Sequence, residues 1–340
     1  MSQPGATGSV VAAPDKFRGT ASGTDVAAAI ARAAEAAGWE CDRVPVADGG
    51  EGTLEVLGGR ARSTRVRGPL GAPVEAEWRI DDDRAVVEMA RASGLALAGG
   101  PEQNDPLRAS THGTGQLIAA AMEAGARRVI VGVGGSASTD GGLGAVSALG
   151  ARRLRGVDVV VACDVTTHFV DAAEHFAPQK GASAAQVALL RRRLERLAQV
   201  YERDYRVDVT GIDGSGAAGG LAGGLAALGA TLVPGFDVVA DALQLADRIA
   251  GAHLVVTGEG FLDEQSFRGK AVGGVTELAR EAGVPVLVVA GDVYVDDLPE
   301  HVEVVSLVDR FGDEQARSDV LACVEAVVRE RLTRPEAGDR

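Results

Sequence analysis

Residues 254–290 read LVVTGEGFLDEQSFRGKAVGGVTELAREAGVPVLVVA. Two apolar runs, Leu254–Thr257 and Val284–Ala290, bracket a helical stretch, and a third run, Val302–Leu307, follows. Short continuous apolar runs separated by helical segments are the pattern of parallel strands covered on both faces by crossover helices. The amino-terminal end repeats it. Ser9–Ala13 (SVVAA) predicts a buried strand, Asp25–Ala37 an alanine-rich helix entered near Ser22, Cys41–Val46 a second strand and Glu51–Leu57 a short helix. Five strands drawn from the two ends predict one doubly wound parallel α/β sheet, closed by a last helix through Val320–Leu332.

The middle of the chain has another texture. Between Ala61 and Met89, alternating residues broken by GPLGAP and DDDR predict antiparallel hairpins. Helical periodicity returns at Gly115–Ala124, followed by a strand at Arg128–Val133, a helix after Asp140 and a strand at Val157–Ala162. Val187, Leu190, Leu194, Leu197 and Tyr201 recur at spacings of three and four, an amphipathic helix with three consecutive arginines on its wet side. The expected organisation is a discontinuous domain of residues 1–58 and 235–340, with a mixed α/β domain inserted at 59–234.

Composition narrows the function. The 340 residues carry a formal charge of −14 and only 4% aromatics, which disfavours both phosphate-backbone binding and base stacking on single strands. Cys41, Cys163 and Cys323 are far apart and make neither a disulfide framework nor a zinc pattern. The amino terminus lacks a basic region followed by an apolar run, and no apolar run is of spanning length, so a cytoplasmic protein without membrane or nucleic-acid partners is expected. Glycine, at 46 residues, is about twice its average share of roughly 7%.

Much of that glycine follows predicted strands, where open α/β sheets bind ligands. The first strand runs into Pro14-Asp15-Lys16-Phe17-Arg18-Gly19, whose cations suit a carboxylate or a phosphate, unless this is a solvated loop. The second runs into Asp48-Gly49-Gly50-Glu51-Gly52-Thr53. Those carboxylates suit Mg²⁺ or a hydroxyl proton, and Asp48 with Glu51 equally has the spacing of a helix capping box. Gly132–Gly142 (GVGGSASTDGG) offers consecutive N–H groups to phosphates or forms a plain glycine turn, and Asp140 either ligates a metal or caps the next helix. Gly214–Gly219 (GSGAAG) matches the dinucleotide fingerprint literally, but continues into a small-residue helix pattern. Thr257–Gly260 ends a late strand ahead of Lys270, where a Walker A motif fails because residue 264 is Glu and residue 271 is Ala. His168 and His175 show no metal-ligand spacing. Glycine-rich anion loops interspersed with carboxylates and lysines are the inventory of phosphoryl transfer.

Nine segments in order, APDKFRGTAS, VPVADGGEGT, VEMARASGLAL, DPLRASTHGTGQLI, VGVGGSASTDGG, ACDVT, PQKGA, GSGAAGGL and VVTGEGFLDEQSFRGKA, make the chain resemble the type 1 glycerate kinase family over residues 8–330. The resemblance implies a flavodoxin-like domain with an inserted second domain, a ligand cleft, and ATP- and Mg²⁺-dependent phosphorylation of D-glycerate on its 2-hydroxyl. It is a diverged, shortened match. Arg18 stands where the family has Lys, Ser138-Thr139 where it has Thr-Asn, and Phe261 where it has Arg. Thr167–Asp171 runs early into PQKGA, and only Arg152–Gly156 remains of a glycine-rich excursion.

The expected catalytic residues are Asp48 as base, Lys16 on the acid-substrate side, and Lys180 and Lys270 neutralising transferred charge. Asp15, Arg18, Gly49, Glu51 and Ser93 are expected at the acid substrate, Gly134, Gly135, Ser136, Gly258 and Glu259 at the nucleotide, and Asp140 and Asp164 at the metal. The sequence leaves a homo-oligomer open. It also leaves a non-catalytic nucleotide or ligand sensor and, on Gly214–Gly219 alone, a nicotinamide-dependent dehydrogenase.

Overall fold

The computed structural model describes residues 8–17, 19–150, 154–267, 270–295, 298 and 302–334. Arg18, expected at the acid substrate, lies outside them. The strands are β1 (Ser9–Ala12), β2 (Glu40–Arg43), β3 (Arg60–Arg67), β4 (Pro73–Asp81), β5 (Arg84–Glu88), β6 (Arg128–Gly132), β7 (Asp158–Ala162), β8 (Thr231–Val233), β9 (Leu254–Leu262), β10 (Val286–Val293) and β11 (Val302–Ser306). Contacts divide the chain into Met1–Ala47 with Val239–Arg340, and Asp48–Val238.

In the first unit the strands run β11-β10-β9-β1-β2, all parallel. Numbered within the unit this is 2-1-3-4-5, the flavodoxin-like order of a doubly wound sheet. Val10 pairs with Leu254 on one side and Cys41 on the other, so the middle of the sheet joins the two chain ends. The helix Gly23–Ala36 starts where the Ser22 hydroxyl accepts from the Asp25 N–H at 3.1 Å. It buries Val26, Ile30 and Ala33 with Val324 and Val328 of the helix Val320–Thr333 in one core cluster.

The second unit holds a mixed sheet, β3-β4-β5-β6-β7-β8. β3, β4 and β5 are the antiparallel hairpins, and β5 to β8 are parallel. The stripe on the helix Ala184–Tyr205 packs as its spacing predicts, with Leu190, Leu194, Leu197 and Tyr201 buried beside Phe169. The small-residue helix Ala217–Ala227 forms, but Ala218, Gly219 and Gly220 take left-handed angles inside it. That turn lets the chain press on its neighbour: a Cβ on Gly219 would stand 2.1 Å from the Ser138 carbonyl oxygen.

Candidate active site

Strand register sets the edge on which the second unit's loops meet. Glu88 pairs with Gly132, Gly132 with Ala162, and Ala162 with Val233, so four parallel strands end level. The Asp48–Gly52 loop lies against that edge. Gly49, at φ +82°, approaches so closely that a Cβ would meet Ala162 Cβ at 2.8 Å. A Cβ on Gly235 would strike the Asp48 carbonyl at 2.0 Å. Asp48 Oδ1 accepts from the Gly50 N–H at 3.1 Å, and Asp164 Oδ1 accepts from the Gly235 N–H at 2.6 Å. The Asp48 carbonyl and the Asp164 carboxylate therefore both approach Gly235.

The capping box weighed for Asp48 and Glu51 does not form. The helix is Thr53–Leu57 with Gly52 at its N-cap, and no side chain of its own caps it. Glu88, buried at the end of β5, accepts from the Gly52 and Leu54 N–H groups, both at 3.0 Å, and its other oxygen pairs with Arg91 at 3.1 Å. Glu51 is exposed.

Lys180, from the turn Pro178–Lys180, reaches into the loop after β6. It is 3% exposed, and Nζ donates to Ser136 Oγ and to the Ser138 carbonyl, each at 2.6 Å. Burial pulls its pKa down from 10.5 to about 7, opposed by the nearby Asp140 charge. Asn104 ties the same strands of chain together, donating to the Ala137 and Lys180 carbonyls at 3.0 and 2.9 Å. Ser138 Oγ, Thr139 Oγ1 and Asn104 Oδ1 are buried with no hydrogen-bond partner. Such orphans accumulate where a protein is built to receive polar groups.

Asp140 is the anchor of this loop. Its two oxygens accept from the Thr111 N–H and hydroxyl and from the Gly142 and Gly144 N–H groups, at 2.9 to 3.2 Å. It thereby caps the helix Leu143–Leu149, the second of the roles weighed for it. Ser93 is fully buried, its hydroxyl accepting from Thr114 at 2.8 Å and its carbonyl from the Ala137 N–H at 3.0 Å. It braces the loop and does not face an open surface.

In the first unit, the loop after β1 meets the end of β9. The Asp15 N–H donates to the Gly258 carbonyl at 2.9 Å, and Thr257 Oγ1 to the Ala13 carbonyl at 2.7 Å. Asp15 is buried, accepts from the Lys16 N–H at 2.7 Å, and has Lys16 Nζ at 3.8 Å. Glu259 has a buried oxygen, Oε1, with no hydrogen-bond partner. Burial, helped by the Asp15 and Asp263 charges, pushes its pKa from 4.5 up to about 7 against a Ser266 hydrogen bond and the Lys270 charge. Gly258 serves sheet packing, since a Cβ there would stand 1.9 Å from the Val289 carbonyl.

The structure thus gathers Asp48, Gly49, Gly134 and Asp164 along one edge, with a Cβ on Gly134 reaching Gly50 Cα at 3.0 Å. Ser136 and Lys180 meet on the adjoining loop. Asp15, Lys16, Glu259 and Lys270 belong to the other unit. Sequence reasoning missed Glu88, Asn104 and Thr111, whose only signal was their place inside or beside the quoted segments.

These loops match a known family throughout. The sequence model of the Glycerate kinase family fits residues 10–155 and 151–330. The chain belongs to the glycerate kinase family. Like its named relatives it is a kinase. A protein named glycerate 2-kinase from Escherichia coli is 40% identical over 325 residues, covering 84% of this chain and 85% of that one. A glycerate kinase of Bacillus subtilis is 38% identical with the same coverage, and an uncharacterized Mycobacterium tuberculosis protein is 43% identical over 308 residues, covering 84% and 80%. A crystal structure of a candidate glycerate kinase 2 from Salmonella typhimurium superposes with a TM-score of 0.82 at 35% identity, covering 95% of this chain and 98% of that one.

Two features bear on the ligands of this glycerate kinase family member. Gly214–Gly219 lies after the turn Val209–Gly211 and not after a strand, so the dinucleotide fingerprint lacks the context it needs. Among the described residues no three His, Cys, Asp or Glu side chains form a metal cage. Mg²⁺ at phosphoryl-transfer sites takes one or two carboxylates and the substrate's own phosphates, so the hard oxygens offered near Gly235, the Asp164 carboxylate and the Asp48 carbonyl, are of a kind that fits it. No helix among the described residues is long and apolar enough to cross a membrane.

Proposed function

We propose that this protein transfers the γ-phosphoryl group of ATP to the 2-hydroxyl of D-glycerate, giving 2-phosphoglycerate and ADP. The observation that supports this most is the buried Lys180 ammonium on Ser136 and Ser138, beside an edge where the Asp48 carbonyl and the Asp164 carboxylate both approach Gly235. A loose phosphoryl transition state asks little covalent chemistry of the protein and much positioned charge. Asp48 accepts the hydroxyl proton as the oxygen–phosphorus bond forms and the bond to the ADP oxygen breaks. Lys180 and Lys270 face the charge that moves on to ADP, and Lys16 with Asp15 and Arg18 orients the acid, aided by Glu51. The Gly134–Ser136 backbone and Glu259 face the nucleotide phosphates. Asp164 would hold Mg²⁺, which when bound neutralises phosphate charge. Asp140 and Ser93 act at one remove by fixing the loop.

An ADP-release assay with D-glycerate, ATP and Mg²⁺ tests the substrate, and turnover no faster than without D-glycerate overturns it. Proton–phosphorus coupling in the product distinguishes the 2- from the 3-phosphate. Asp48→Asn lowers kcat by about 10²-fold or more if Asp48 is the base.

A further inference from the structure

β3 is the outer strand of the second unit's sheet, bonded to β4 on one side and to no strand on the other. Four of its eight residues, Arg60, Arg62, Arg65 and Arg67, are arginines, and all four are exposed. Among the described residues none of them makes an ion pair. Glu75 stands directly opposite Arg65, yet accepts from the Ser63 hydroxyl at 3.4 Å, and Glu77 pairs with Arg79. Four such guanidinium groups on one strand stand out in a chain of net charge −14.

Register shows which backbone groups of this edge are open. The Gly68 N–H donates to the Ala72 carbonyl at 2.7 Å, so Gly68 faces β4, and in an antiparallel pair alternate residues face opposite ways. Thr64 and Val66 therefore face β4, whereas Ala61, Ser63, Arg65 and Arg67 turn their N–H and C=O groups outward. Arg67 bears this out, its N–H being taken by the Gln116 side chain at 2.8 Å. No hydrogen bond among the described residues reaches the outward groups of Ala61, Ser63 and Arg65, and all three residues are exposed. A row of such groups is a template for another strand.

The arginines say which strand. Arg60 and Arg62 share the sheet face of Ile80 and Trp78, and Arg65 and Arg67 share the face of Glu75. Their spacing of two, three and two reads the same in both directions. A second copy of β3 laid alongside in register, parallel or antiparallel, therefore sets arginine against arginine, which like charge disfavours. An anionic lipid surface or a nucleic acid would answer the guanidinium groups and leave the backbone row unpaired. We propose that β3 is a docking edge for an extended acidic segment of a partner protein, added as a further strand with carboxylates at its first, third, sixth and eighth positions against the four arginines.

Fluorescence anisotropy of a labelled octapeptide, Glu-Thr-Glu-Val-Thr-Glu-Thr-Glu, with the whole protein tests this. Two controls carry the same charge, one with its four glutamates together at the amino end and one N-methylated at its four central residues, so that its backbone cannot pair. The ordered peptide binds about tenfold or more tightly than either control. It also protects the amides of residues 61–65 from hydrogen exchange, read by mass spectrometry on the unaltered protein. In the double variant Arg62→Glu, Arg65→Glu binding falls by about tenfold or more, because two attractions become repulsions, and the loss shrinks at high salt. No binding, equal binding of the three peptides, or edge amides left unprotected overturns the proposal, and the exchange result does so whatever the variant's stability. Arginine-dependent binding of phosphatidylserine vesicles or of an oligonucleotide, without binding of the ordered peptide, also overturns it and gives the arginines to phosphates.

Discussion

Lys180 Nζ lies 2.6 Å from Ser136 Oγ, a contact buried in the second unit between residues 44 apart in sequence. The ammonium is held by one hydroxyl and one carbonyl, neither charged, so burial dominates and its pKa falls to about 7. An arriving phosphate favours the charged form. If ATP phosphates reach Lys180 as proposed, their binding at pH 8 takes up a proton. Calorimetry in two buffers of different ionisation enthalpy reads that uptake, and equal heats in both would count against it. Lys180→Met abolishes the uptake and lowers kcat/KM by about 10²-fold or more, as loss of positioned charge does.

Lys180 and Glu259 tilt stability in opposite directions with pH. For Lys180 the folded pKa, about 7, lies below the unfolded 10.5, so the unfolded chain binds more protons between them and stability rises with pH across that window. For Glu259 the folded pKa, about 7, lies above the unfolded 4.5, so the native state binds more protons and stability falls as pH rises from 4.5 to 7. Urea midpoints followed from pH 4.5 to 10 show the two slopes. Glu259→Gln flattens the lower one and Lys180→Met the upper one.

Glu88 caps a helix whose nearest capped N–H is 34 residues away. Glu88→Ala leaves the Gly52 and Leu54 N–H groups without their acceptor and costs about 1–3 kcal/mol. Glu88→Gln, which keeps an accepting oxygen, recovers most of it. Urea denaturation separates the two, and kcat falls with the first because the Asp48–Gly52 loop loses its tie.

Gly49 and Gly52 differ in what surrounds them although both have positive φ. A Cβ on Gly49 meets Ala162 at 2.8 Å, whereas one on Gly52 meets nothing within 4 Å. Gly52→Ala pays only the left-handed backbone, about 1–2 kcal/mol, and Gly49→Ala adds overpacking of about 1–3 kcal/mol. Thermal unfolding orders the two, and equal losses would contradict the close approach.

The sheets were legible because their signals are local. The valine runs that became β1, β9, β10 and β11, the alternation in β3 and β4, and the stripe from Leu190 to Tyr201 all depend on neighbours within a few residues. The site was legible only as loops after strands. PQKGA shows a lysine, but not that Ser136 and Ser138 enclose it. Asp48 and Glu51 have capping spacing, yet Glu88 from a distant strand takes the work. The left-handed turn at Ala218–Gly220 likewise answers to Ser138, which no window around those glycines contains.

β1 lies between β2 and β9, and roughly 240 residues separate its end from the start of β9. A ribosome adding about 5–20 residues per second therefore needs roughly ten to fifty seconds after releasing the first strand to supply its second neighbour. During that interval the valines of β1 have a partner on one side only, while Asp48–Val238 already contains every strand of its own sheet. The nascent chain is thus expected to complete its inner unit first, and its amino-terminal strand is the segment that most needs a chaperone's shelter.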